Sequence, residues 1–76
     1  MRRFVDYEGV LFDAVDAAAL VTMMRHAARW SGAETDAEYM AGFADRAKLS
    51  GARIRSDAAE HFVADVIAAG FIRELS

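Results

Sequence analysis

The stretch Ser56 to Ile72, SDAAEHFVADVIAAGFI, constrains this chain more than any other. It holds a helix start, an apolar stripe and a helix stop in one run. Ser56 or Asp57 offers a side-chain oxygen to the free N–H groups of a first turn, and Asp57 with Glu60 has the spacing of a capping box. Both acids suit the positive end of a helix dipole. Phe62, Val63, Val66 and Ile67 recur at helical spacing as one apolar face, away from Asp57, His61, Ala64, Asp65 and Ala68. Gly70 can take the left-handed conformation that ends a helix, with Phe71 folding back on the last turn. The pattern predicts a helix over 57–69, and the rest of the chain has to cover its stripe.

Little chain is available to do so. The 76 residues predict one small domain, 1–76. A chain of this length buries only about 60% of the surface its unfolded form exposes, so a stability of a few kcal/mol is expected. No cysteine is present, so neither disulfides nor thiolate–metal sites supplement the core, which suits a reducing cytoplasm. Association with a second copy remains as a staple, and a hydrophobic content of 55% supplies the material. Alanine, at 17 residues, favours helix, and proline is absent. The longest apolar run, Ala17 to Val21, is far too short to span a bilayer. Met1-Arg2-Arg3 is followed by Asp6, Glu8, Asp13 and Asp16 with no apolar signal core between, so export is not expected.

The N-terminal segment reads differently from the rest. Phe4, Val5, Tyr7, Val10, Leu11 and Phe12 are strand formers, and Asp6-Tyr7-Glu8-Gly9 has turn chemistry. The expectation is a short β-hairpin over residues 3–5 and 10–12, with one bulged strand from Phe4 to Phe12 as the alternative. A first helix is expected over 14–30, capped by Asp13. Thr22, Arg25, His26 and Arg29 form its narrow polar face, and the remainder is apolar enough to predict contact on more than one side. A second helix is expected over 36–49. Thr35 and Glu38 make its capping box, Tyr39, Met40, Phe43, Ala44 and Ala47 its apolar face, and Gly42 a point of close crossing. Ala52-Arg53-Ile54-Arg55 alternates like a short edge strand at Arg53–Arg55. Phe71, Ile72 and Leu75 offer a last extended segment. The fold expected is therefore α+β and predominantly helical, a short N-terminal hairpin packed on a three-helix core with one short additional strand.

Four constellations bear on function. Arg46, Lys48, Arg53 and Arg55 form a basic segment leading into the N-terminus of the 57–69 helix, a place where guanidinium and backbone N–H groups can hold phosphate. The following Val66-Ile67-Ala68-Ala69-Gly70-Phe71-Ile72 resembles the end of the recognition helix in winged-helix regulators, where an apolar–Gly–apolar–apolar step leads into the wing. That resemblance implies nucleic-acid binding through the basic turn. Asp57, Glu60 and Asp65 on the exposed face of the same helix would repel a DNA backbone, as would the net charge of −3. His61, with Asp57 and Asp65 four residues to either side, has the spacing of a partial metal site without a further strong ligand. No cysteine nucleophile, Gly-x-Ser-x-Gly elbow, phosphate loop or dinucleotide motif occurs, so neither an enzyme nor a cofactor is expected. The last constellation is apolar: Met23, Met24, Trp30, Tyr39 and Met40, with Phe4 and Tyr7 of the N-terminal segment, exceed what one small core obviously needs, methionine and aromatic residues favour interface centres, and an open edge at the hairpin or the Ile54 strand offers pairing across a two-fold axis. The function expected is a small cytoplasmic protein-interaction or accessory module, homodimer included, with nucleic-acid binding as the alternative and no membrane partner.

Overall fold

The computed structural model describes residues 1–28, 32–33 and 35–75. Strands β1 (Arg2–Asp6) and β2 (Leu11–Ala14) form the hairpin. Three helices follow, α1 (Ala17–Ala27), α2 (Asp36–Lys48) and α3 (Ala59–Ala68), and then strand β3 (Ile72–Glu74). The sheet is antiparallel throughout, with β1 central in the order β2-β1-β3.

The hairpin turn is built by Asp6. Its carboxylate accepts from the N–H groups of Glu8 and Val10, both at 2.9 Å, while its carbonyl accepts from Gly9 at 3.0 Å. Two strands joined by a turn, and not one bulged strand, are the result. Pairing continues to Arg2↔Ala14, beyond the expected strand ends. That extension decides where α1 begins. Asp13 is still in the ladder, so the cap falls to Asp16, whose carboxylate accepts from the Ala19 N–H at 2.8 Å. The described helix ends at Ala27; Arg29 and Trp30 of the expected helix lie outside the described residues.

Helix α2 carries the expected capping box. The Glu38 N–H donates to the Thr35 hydroxyl at 3.1 Å, and the Thr35 N–H donates to the Glu38 carboxylate at 3.0 Å. Gly42 makes no close crossing, since only the Arg46 guanidinium lies near the place a Cβ would take. Helix α3 is shorter at its start than expected. Its N-cap is Ala58, without a side-chain bond, because Asp57 turns to His61 instead (3.0 Å). Its end is as read. Gly70 has φ +87°, its N–H reaches the Ile67 carbonyl, and the Phe71 N–H reaches the Val66 carbonyl. These are the paired bonds of a Schellman motif.

The additional strand lies at Ile72–Glu74 and not at Arg53–Arg55. Ile54 does pack against the core and the flanking arginines are exposed, as alternation implied. The Arg55 N–H, however, is taken by the Asp65 carboxylate and not by a neighbouring strand.

All three helices pack around one cluster. Phe4, Phe12, Ala14 and Ile72 supply the sheet's inner face; Leu20, Val21 and Met24 come from α1, Tyr39 and Met40 from α2, and Phe62, Val63 and Val66 from α3. Phe43 bridges the aromatic part edge-on, 5.4 Å from Phe62 and 5.3 Å from Phe71 between ring centroids. Such geometry sets positive ring edges on negative faces. Across the α1–α2 junction, Asp36 accepts from the Thr22 hydroxyl and from Arg25 Nε (2.7 Å). These bonds, the Thr22 hydroxyl first, hold the Asp36 carboxyl below its ordinary range.

Candidate interaction surface

The basic segment does not come together as a cation site. Arg55 is held by Asp65 through Nε and Nη2, at 2.9 and 3.0 Å. Those bonds, the side-chain pair first and then the Arg55 N–H, lower the Asp65 carboxyl to about 2. Lys48 lies 3.7 Å from Asp45 on the same helix. Arg46 and Arg53 remain without a carboxylate partner among the described residues. The step after Gly70 leads into β3, which joins the N-terminal hairpin to complete one sheet.

His61 and its two acids also separate. Asp57 stays with His61, and that bond lowers the Asp57 carboxyl. Asp65 belongs to Arg55. Among the described residues no group of three metal-ligating side chains assembles.

Of the apolar residues expected at an interface, Met24, Tyr39 and Met40 are buried in the core of the single chain, and Met23 packs partly against it. Trp30 lies outside the described residues. With the helices this short, α1 and α2 have to spend these side chains to enclose Phe4 and Phe62. A groove of about 450 Å³ opens beside them, between the hairpin turn and α2, with Phe12, Met24, Tyr39 and Phe43 in its walls and Asp6, Glu8 and Arg46 at its rim. Burial pushes the Tyr39 hydroxyl's pKa up.

The exposed apolar surface is elsewhere. Among the described residues the exposed large apolar side chains are Met1, Tyr7, Val10, Leu11, Val15, Leu49 and Leu75, and all but Leu49 lie on the strands or beside them. The strand register explains why. Side chains alternate between the two faces of a sheet, and Phe4, Phe12 and Ile72 face the helices. Val5, Leu11 and Arg73 are therefore aligned across the outer face in one row. The next row holds Arg3 and Asp13, with Leu75 beside them, its N–H bonded to the Arg3 carbonyl at 2.8 Å. Leu11 is 62% exposed and Leu75 39%. Arg3 Nε meets Asp13 Oδ1 at 2.8 Å, neutralising the middle of the second row and lowering the Asp13 carboxyl. Arg73 has no carboxylate partner among the described residues. No described helix covers this face. On the inner side, by contrast, Arg2 lies over the Phe4 ring and grips Glu74 through two bonds, closing the end of the core.

The sequence carried a signal for this face. Phe4-Val5 and Leu11-Phe12 are apolar on consecutive positions, which puts an apolar residue on each side of the sheet. No protein-family model, curated protein or solved structure matches the chain. Among the described residues, no helix is long and apolar enough to cross a membrane.

Proposed function

We propose that the chain is a small protein-interaction module that works as a self-associated pair through the uncovered face of its sheet. The observation that carries this reading is the pair of exposed leucines on that face, Leu11 and Leu75, which the strand register sets on either side of the half-buried Val5. Exposed apolar area gathered in one place marks interaction surfaces, whereas scattered residues do not. A second copy is the occupant because the face carries charges of both signs, Arg73 and Asp13, which a second copy can complement. The chain exposes 4992 Å² and measures 29 × 25 × 22 Å. A standard interface takes about 800 Å² per partner, roughly one sixth of that surface. So small a domain also gains more from a partner than a larger one would, since its own core is limited.

Sedimentation equilibrium tests the reading. The expected result is a mass rising with concentration towards twice that of the chain, and a Leu11→Lys variant that keeps its helical circular dichroism but stays at the mass of one chain. A wild-type protein that remains monomeric at every concentration would refute the proposal.

A further inference from the structure

The outer face of the sheet also encodes how two copies would meet. Its four corners are Leu11 and Asp13 on β2, and Arg73 and Leu75 on β3 or directly after it. Leu11 and Arg73 share one row, Asp13 and Leu75 the other, so the two leucines occupy one diagonal and the two charges the opposite one. With β1 between the edge strands, the rectangle is about 10 Å across by about 7 Å along, from strand spacing and rise per residue. It is near enough to square for either diagonal to serve as a symmetry axis.

A pair of identical subunits makes the same contacts twice, related by a two-fold axis. For two sheets face to face, that axis lies between the faces, and four orientations set corner on corner. An axis along the strands sets each Arg73 against the partner's Leu11. An axis across the strands sets each Arg73 against the partner's Leu75. Both would desolvate charges against apolar side chains, at a cost. The axis through Arg73 and Asp13 sets each of these against its own copy, like charge on like. Only the axis through Leu11 and Leu75 sets leucine on leucine and each Arg73 against the partner's Asp13.

Building on self-association through this face, we propose that the pair is a near-orthogonal sheet-on-sheet dimer in which Arg73 of each subunit binds Asp13 of the other. A diagonal axis turns one set of strands by about a right angle to the other, which is one of the two standard arrangements of packed sheets. The charges are in the state this needs. Arg3 occupies only Oδ1 of Asp13, leaving Oδ2 to accept from a second guanidinium, and Arg73 is unpaired among the described residues.

Charge reversal with mixing tests the geometry. Arg73→Glu alone sets the new carboxylate of each subunit against the partner's Asp13, and Asp13→Lys alone sets the new ammonium against the partner's Arg73. Each variant is expected to raise the dimer dissociation constant about tenfold or more, since like charges at an interface are strongly disfavoured. An equimolar mixture offers the heterodimer an escape from both like-charge contacts: one pair then joins the two native residues and the other the two substituted ones, each of opposite sign. Native mass spectrometry is therefore expected to show the mixed dimer in large excess over either homodimer. The rescue requires both variants to be folded, and Arg73→Ala, which leaves the Arg3–Asp13 pair untouched, gives a milder loss in the same direction. Dimerisation of the wild type that neither reversal weakens, or a mixture with no preference for the mixed dimer, overturns this geometry while leaving self-association standing. A monomeric wild type overturns both.

Discussion

Arg55 holds Asp65 by three hydrogen bonds, with its backbone N–H and Nε donating to Oδ2 at 2.9 Å and Nη2 donating to Oδ1 at 3.0 Å. A residue in the loop before α3 is thereby fastened to the body of that helix. One carboxylate removes Arg55 from the basic segment, prevents Asp65 from sharing a metal with His61, and takes the N–H that an edge strand would have used.

The pH dependence of stability follows from that clamp. The Asp65 carboxyl is lowered from 3.8 to about 2 in the folded chain. A depressed folded value contributes stability above the ordinary value, and the contribution is lost as pH falls through the folded one. Asp65→Asn is expected to be less stable than the wild type at pH 7. The gap should close between about pH 4 and pH 2, as read by urea denaturation at successive pH values. An equal gap at neutral pH and at the acid end of the series would contradict the clamp.

Two glycines should respond in opposite directions to alanine. Gly42 lies inside α2 with only the flexible end of Arg46 near, so Gly42→Ala should stabilise by about 0.5–1 kcal/mol. Gly70 has open space around it but a φ of +87°, so Gly70→Ala should cost about 1–2 kcal/mol through backbone strain alone. Thermal melts of the two variants check this; equal shifts would mean that space, and not conformation, governs Gly70.

Phe62 is fully buried at the junction of the aromatic group. Phe62→Ala should cost about 3–5 kcal/mol, which is comparable with the entire stability expected of so small a core. Far-ultraviolet circular dichroism should therefore show a largely unfolded chain at room temperature, whereas Phe62→Leu should remain folded with a lower midpoint. A cooperative, wild-type-like melt of the alanine variant would show that the aromatic junction is not central.

The parts of this fold that were legible in the sequence are those fixed by local chemistry. Thr35 with Glu38, Gly70 with Phe71, and the Asp6–Gly9 turn each act within a few residues, and each appears where the residue types demanded. What was not legible depends on long-range choices. Asp57 had two partners within reach, the N–H groups of α3 and His61, and spacing does not rank them. Asp13 had the chemistry of a helix cap, but the hairpin register extends through it and shifts the cap to Asp16. Arg53-Ile54-Arg55 alternates as a strand should, yet the strand beside β1 comes from Ile72–Glu74. The apolar residues of α1 and α2 looked like surplus because their number says nothing of how much core three short helices need to close.

A dilution series followed by amide and methyl nuclear magnetic resonance, from millimolar to micromolar protein, tests the central claim most directly. Self-association through the outer face of the sheet predicts concentration-dependent shifts at Val5, Leu11, Arg73 and Leu75, with Thr22, Arg25 and Asp45 on the helices unmoved. Spectra that stay constant across the series, or shifts confined to α1 and α2, would contradict it.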